Sequence, residues 1–320
     1  MQAIMKTVKK RPPVLKFILG LLLAPMLFSC GYGELEVVQT IDEEFFDVQK
    51  IDIESGFLEV VYEGVEGKTE VTLTGTLESS RPGAYKVKYQ MEGDELKIEL
   101  DQKNLIGSGR HKGVLYISGP VSIELDVESG SGTTQISNVE SSEMELDAGS
   151  GRLELYNVAA NTIDLEVGSG TIKGYNLIGN VKGEAGSGRL EFDQIEGDAK
   201  LNVSSGVIRV KSITGKLNSQ LSSGNLYMER INEIEELKVS SGSIEGEDIG
   251  LGAKTRLSSS SGRIKIQTYS ELTAYNYDFQ AGSGKVKVGD SSSSGSLEIH
   301  NGSPYTIQGS VSSGSIEIFN

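Results

Sequence analysis

Seven carboxylates recur at matched places along four successive stretches of the chain. They are Asp126 and Glu128, Glu145 and Asp147, Asp164 and Glu166, and Glu184, each four or six residues before the glycine of a Ser-Gly pair. If those stretches stack, the acids form columns of hard oxygen ligands suited to a divalent cation, Ca²⁺ above all. Without a cation the same columns repel. Metal sites built on nitrogen or sulfur are excluded by counting, since the chain holds only two histidines, His111 and His300, and one cysteine, Cys30. The serines that precede the recurring glycines have no histidine or lysine beside them to act as a base. Glycoside hydrolysis needs a singular pair of carboxylates, whereas these acids follow the repeat, so no catalytic residue is assigned. The aromatic run Tyr269, Tyr275 and Tyr277, ending in Phe279, offers contacts for a ligand such as a sugar, although the chain lacks tryptophan.

What positions these groups is a repeat. Gly132, Gly151, Gly170, Gly188, Gly206, Gly224, Gly242 and Gly262 are separated by 19, 19, 18, 18, 18, 18 and 20 residues, and Gly284, Gly295 and Gly314 follow. Two positions after the glycine stand Leu153, Ile172, Leu190, Ile208, Leu226, Ile244 and Ile264, and seven after it Val158, Leu177, Ile195, Ile213, Ile231 and Ile249. Period-two alternation marks strands with one buried face, and Ser-Gly marks a corner that excludes a side chain. One such unit cannot enclose a core, so the units must stack about 4.8 Å apart through parallel backbone hydrogen bonds. The expected fold is all-β: a right-handed parallel β-helix, or β-solenoid, of about ten coils with a strand-rich N-terminal cap. The corner serines are expected to form a ladder of hydroxyls. Gly174, Gly183 and Gly246 fall at inward positions, which predicts a narrowed lumen or larger neighbours filling the gap. Three positions after the glycine, Glu154, Lys173, Glu191 and Arg209 alternate in sign and predict an outer ladder of ion pairs that sets register.

The first thirty residues are of another kind. Lys6, Lys9, Lys10, Arg11 and Lys16 precede an apolar run from Phe17 to Phe28, and Leu27-Phe28-Ser29-Cys30 follows. This is a secretory leader, too short to be a stable membrane span. Its end resembles the lipobox of bacterial lipoproteins, apart from the bulkier Phe28. The resemblance implies cleavage between Ser29 and Cys30 and lipidation of Cys30. Removal of a leader with five cations and no acids takes the formal charge from −15 to −20. That balance argues against a nucleic-acid partner, and corners that join strand to strand supply no helix N-terminus for a phosphate.

The organisation expected is a signal peptide over 1–29, a lipidated tether over 30–44, a strand-rich cap with the first coil or coils over 45–128, and the regular solenoid over 129–320. Glu92-Gly93-Asp94 reads as a hairpin turn within the cap, and Ile51 to Val60 fits the repeat around Gly56. Ser315-Ile-Glu-Ile-Phe319-Asn320 ends inside a strand, which predicts an uncovered last coil open to end-to-end self-association.

FFDVQKIDIESGFLEVV, GVLYISGPVSIELDVESGSG and the serial GSG and SSG corners together resemble a family of secreted β-helix lipoproteins of Bacteroidota, provisionally called adhesins and related to GIN-domain and autotransporter-adhesin-head proteins. The likeness runs from about Phe45 to Asn320. It implies a lipid-anchored protein of the cell envelope, most simply the outer membrane, with no enzyme activity. The role expected is binding or structural: an adhesin with a glycan or protein ligand at the cell surface, a periplasm-facing structural or sensory lipoprotein, or a glycan-binding module. No cofactor is expected beyond Ca²⁺.

Overall fold

Alternation within one unit fixes which side chains turn inward. After Gly151 the buried residues are Leu153 and Leu155, then Val158 and Ala160, then Ile163, Leu165 and Val167. Parity breaks twice, after Leu155 and after Ala160, so the chain turns at two bends besides the Ser-Gly corner and each coil has three short sides. The first bend carries a left-handed residue: Asn138, Asn157 and Asn176 have φ of 57°, 53° and 57°. Asparagine tolerates this region because its short amide bonds locally. Here the amides bond to each other, Asn157 Nδ2 donating to Asn138 Oδ1 at 3.1 Å and Asn176 Nδ2 to Asn157 Oδ1 at 3.0 Å.

The computed structural model describes residues 33–103 and 109–320. Met1–Tyr32, with the leader, Ser29 and Cys30, lie outside the described residues. Gly33–Asn320 is one compact unit, and the regular structure among its described residues is β save for a 3₁₀ turn at Leu272–Ala274. Stacking is parallel and in register: Leu153 faces Ile172, which faces Leu190, then Ile208, Leu226, Ile244 and Ile264. One continuous aliphatic core results.

The tight corner explains the recurring glycine. Its φ is not positive, so the requirement is space. A Cβ on Gly151, Gly170, Gly206 or Gly242 would strike the carbonyl oxygen of the corner glycine one coil earlier. The backbone ladder runs through the corner: the Ser150 N–H donates to Gly130 (2.8 Å), Ser169 to Gly149 (2.8 Å) and Ser223 to Ser204 (2.7 Å). The serine side chains point to solvent. The expected hydroxyl ladder therefore gives way to a backbone one, with a hydroxyl contact surviving at Ser283 and Ser313 (3.3 Å). Inward glycines are filled as expected: a side chain on Gly174 would meet Leu177 and Phe192, and one on Gly246 would meet Ile249 and Met228.

Both ends depart from chain order. The coil around Gly56 lies one coil inside the N-terminal end. Lys50–Glu54 pairs on one side with Glu95–Gln102 and on the other with Glu124–Ser129, while Glu59–Val65 lies between His111–Pro120 and residues 133–137. Beyond the outer coil lie antiparallel strands, Tyr85–Glu92 on Glu95–Gln102 and Val71–Ser79 on His111–Pro120, with Glu36–Phe45 outermost. At the other end, Asn276–Ala281 and Lys285–Val288 form the outer coil, and the chain then doubles back through Ser291–Ser293 and Leu297–Ile299, both antiparallel to it. This return accounts for the short step from Gly284 to Gly295. The last strands, Thr306–Val311 and Ser315–Phe319, then enter between the outer coil and the Gly262 coil. Contrary to the sequence expectation, the C-terminal strand is thus paired on both sides, and it offers no open edge for end-to-end association. The strands that do lie outermost there are three residues long and polar or half-buried, a form of edge that discourages pairing.

Substituting Gly206→Ala should cost about 1–3 kcal/mol by overpacking, against no more than about 0.5 kcal/mol for the exposed neighbour Ser205→Ala. Urea unfolding of the two variants checks this, and equal midpoints would show that the corner has room.

Candidate functional site

Outward residues three and five positions after the corner glycine form two columns on the strand that follows the corner. The first runs Gln135, Glu154, Lys173, Glu191, Arg209, Tyr227, Glu245, Lys265 and then Glu317 of the inserted strand. The second holds Tyr156, Tyr175, Asp193, Lys211, Glu229, Glu247, Gln267 and Phe319. Between the columns, from Tyr175 to Phe319, lies an open groove of ≈ 770 Å³ underlain by Phe192, Val210, Met228 and Gly246. It crosses seven coils and is about 29 Å long at the spacing of paired strands.

The groove's charges are set by the expected ladder. Glu191 lies 3.9 Å from Lys173, 3.5 Å from Arg209 and 3.2 Å from Arg189. The Arg209 guanidinium also lies 5.3 Å from the Tyr227 ring centroid, and Lys265 Nζ 5.3 Å from that of Phe319. At the other end Tyr156 and Tyr175 stack at 4.9 Å with planes 3° apart. Burial, with a hydrogen bond to Glu154 (3.0 Å), pushes the Tyr156 phenol above its ordinary range. Among the described residues Asp193, Lys211, Glu245 and Glu247 make no ion pair, so the groove presents free hydrogen-bonding charge beside aromatic rings. Tyr156 and Tyr175 escaped the sequence reading because their column was not aligned, although the five-residue offset from Gly151 and Gly170 would have shown it.

The tyrosines chosen from sequence lie elsewhere. Tyr277 is 1% exposed in the core, where burial raises its phenol, and its hydroxyl donates to the Leu272 carbonyl at 3.0 Å. Tyr275 packs against the core with its hydroxyl on the Leu251 carbonyl. Tyr269 is 53% exposed and donates to the Asn232 carbonyl at 2.9 Å. Tyr277 is therefore a packing residue rather than a ligand contact, and Tyr275 is half-buried against the core. Their run is the outer coil and its lead-in.

The seven acids do stack, and the stack is longer than the repeat disclosed. One column runs Glu99, Glu54, Glu128, Asp147, Glu166 and Glu184, and its neighbour Asp52, Asp126, Glu145 and Asp164. Asp52, Glu54 and Glu99 were missed because their coils lie outside the regular period. Lys182 closes one end on Asp164 (3.0 Å), while Lys50 lies 3.3 Å from Glu95 and 3.7 Å from Asp126. Arg152 and Arg189 turn away from this strip, to Glu154 (3.6 Å) and Glu191. Among the described residues no group of three or more His, Cys, Asp or Glu converges to hold a metal ion. Parallel columns keep the carboxylates side by side, so the calcium expectation finds no site there.

Fold and groove together define a β-solenoid with an open, mixed-charge surface trough. The chain belongs to the Toastrack DUF4097 family, whose profile matches residues 48–319. A crystal structure from Parabacteroides merdae ATCC 43184, provisionally called an adhesin, is similar at a TM-score of 0.51 and 12% identity, covering 91% of this chain and 98% of that one. One from Parabacteroides distasonis ATCC 8503, provisionally called a lipid-binding protein, is similar at 0.50 and 17%, covering 90% and 98%. At these identities the likeness is one of fold. No curated protein matches the chain.

The acid strip has a measurable consequence. Burial, then the charges of Glu166, Glu145, Glu128 and Asp126, raise the Asp147 carboxyl above its ordinary range. Burial with Asp126 and Glu95 does the same for Asp52, and burial with Glu99 and Glu128 for Glu54. The folded chain then holds these protons more tightly than the unfolded one, so the strip lowers stability above the ordinary carboxylate range and relief comes as pH falls towards it. Tm should gain from the strip as pH is lowered from 7 into the ordinary carboxylate range near 4. Asp147→Asn should raise Tm at pH 7 and flatten that rise. A lower Tm for this variant in a calorimetric scan at pH 7 would contradict the account.

Proposed function

We propose that this chain is a non-catalytic binding protein of the bacterial cell envelope, a right-handed solenoid of about ten coils closed at its N-terminal end by a strand-rich cap. On this reading a leader over 1–29 is removed, Cys30 is lipidated, and residues 30–35 tether the rod to the outer membrane, a shorter tether than the 30–44 expected because Glu36–Phe45 is a paired strand of the cap with Ile41 in the core. Acyl chains contribute about 0.8 kcal/mol per buried methylene, which favours lasting attachment when more than one is present. A mature charge of −20 holds the body away from anionic lipid.

The observation that carries the binding reading is the groove between Tyr175 and Phe319. It is open along its length, so it suits a linear polymer rather than a compact small molecule. Free carboxylates and one free lysine accept and donate hydrogen bonds to hydroxyl groups, and Tyr227 and Phe319 offer apolar rings three coils apart. That combination matches an extended glycan with little net charge. It also fits an adhesive role, in which many weak contacts along a rod add up. The histidine–carboxylate pair His300–Glu298 (2.8 Å) is exposed and lies outside the groove lining, and the groove's own carboxylates follow the repeat, which supports binding without catalysis.

A glycan array probed with wild type, Tyr227→Ala, Tyr175→Ala and Tyr269→Ala tests this. Tyr227→Ala and Tyr175→Ala should each weaken binding about twofold to tenfold, the worth of about 0.5–1.5 kcal/mol of ring contact, while still unfolding cooperatively. Tyr269→Ala should bind as wild type. Retention of full signal by the two groove variants, or no signal from wild type on any linear glycan, would remove the groove from this role.

A further inference from the structure

The two ends of the solenoid look alike but assemble differently. At the N-terminal end the inner coil, Lys50 to Val65, comes first in the chain and the outer coil is laid over it afterwards. At the C-terminal end the outer coil, Asn276 to Val288, comes first. Residues 306–319 must then enter a slot between that coil and residues 256–268. Until they do, both walls of the slot carry unpaired strand edges.

The walls are kept from closing on each other. In the present register Arg263 faces Ser315, which faces Lys285, and Lys265 faces Glu317, which faces Lys287. Removing the inserted strand and bringing the walls together would set Arg263 against Lys285 and Lys265 against Lys287, like charges at strand spacing. Glu317 resolves this, with Lys287 Nζ at 2.9 Å. The slot also demands apolar side chains at Ile307, Val311, Ile316 and Ile318, all buried to 2% exposure or less. Its specification is therefore a parallel strand with an acid between two aliphatics.

We propose that this slot is a strand-acceptor site that takes residues 306–319 of a second copy of the chain, giving a reciprocally exchanged dimer when the protein folds at high local concentration. The segment of another copy meets every requirement that the chain's own segment meets, which is the condition for exchange. The connection that would have to open is short and exposed. Residues 300–305 contain Gly302 at φ 72° and are held by Asn276, whose Nδ2 donates to the Ser303 carbonyl (2.7 Å) and whose Oδ1 accepts from the Asn301 N–H (2.9 Å). On a crowded surface an incoming strand from a neighbour competes with the chain's own for the same slot.

Ser258 Oγ and Ser310 Oγ lie 3.3 Å apart across the slot wall. With Cys30→Ser as background, Ser258→Cys and Ser310→Cys are made as two separate variants, unfolded, mixed and refolded under oxidising conditions at two concentrations about a hundredfold apart. The expected result is a disulfide-linked heterodimer that is at least about tenfold more abundant at the higher concentration, and absent when either variant refolds alone. Adding Asn276→Ala to both chains should increase it, because the hinge loses its anchor, while adding Glu317→Lys should abolish it. Folded monomer at both concentrations, or dimers of equal amount from one variant alone, would overturn the proposal.

Discussion

At the tight corners from Gly151 to Gly262 the carbonyl oxygen of one coil's glycine occupies the place where the next coil's glycine would carry a side chain. That contact fixes the height of a coil above its neighbour at one point, and the rest of the coil follows. Once the corners are seated, Ser N–H groups reach the carbonyls one coil back, and the aliphatics on either side fall opposite their counterparts. A slip of one residue would turn every inward side chain out. The asparagine ladder at Asn138, Asn157 and Asn176 locks the opposite bend in the same register. Outer ion pairs add specification rather than strength, because exposed pairs contribute only tenths of a kcal/mol.

In-register stacking also decides what the surface can do. It turns every tolerated substitution into a column, so chemistry on this protein is linear: a strip of acids on one side, and a trough of alternating charge and aromatic rings on another. The acids repel along their column and yield no converging ligand set. The trough differs because its charges alternate, its rings lie among them, and several groups remain without partners. A structure of this kind recognises ligands that share its linearity. Phe319 at the far end belongs to the inserted strand, so the trough is complete only when the last coil is in place.

Most of the interior could be read from residue spacing. The glycine period, the inward aliphatics, the filling of Gly174 and Gly246, the Glu92-Gly93-Asp94 hairpin and the ladder through Glu191 all follow from alternation and turn chemistry. The ends could not, because spatial order there differs from chain order. Nothing local in Ile316 and Ile318 says whether the strand beside them precedes or follows in sequence; the long-range clue is the sign of Lys265 and Lys287, which need Glu317 between them. Tyr277 misled for a similar reason. By its place in an aromatic run it read as a ligand contact, whereas its strand belongs to the outer coil and turns the ring into the core. Asp52, Glu54 and Glu99 extended the acid strip unseen because the inserted N-terminal coil broke the count from one glycine to the next.

Closed ends and a buried last strand are two aspects of one arrangement, and amide hydrogen exchange reads it directly. If the C-terminal coil is stacked in register between two others, the amides of Ile316 to Ile318 exchange as slowly as those of Leu226 to Met228 in the middle of the rod. Exchange at Ile316 to Ile318 on the timescale of fraying termini, with Leu226 to Met228 still protected, would contradict the account and return that strand to an open edge.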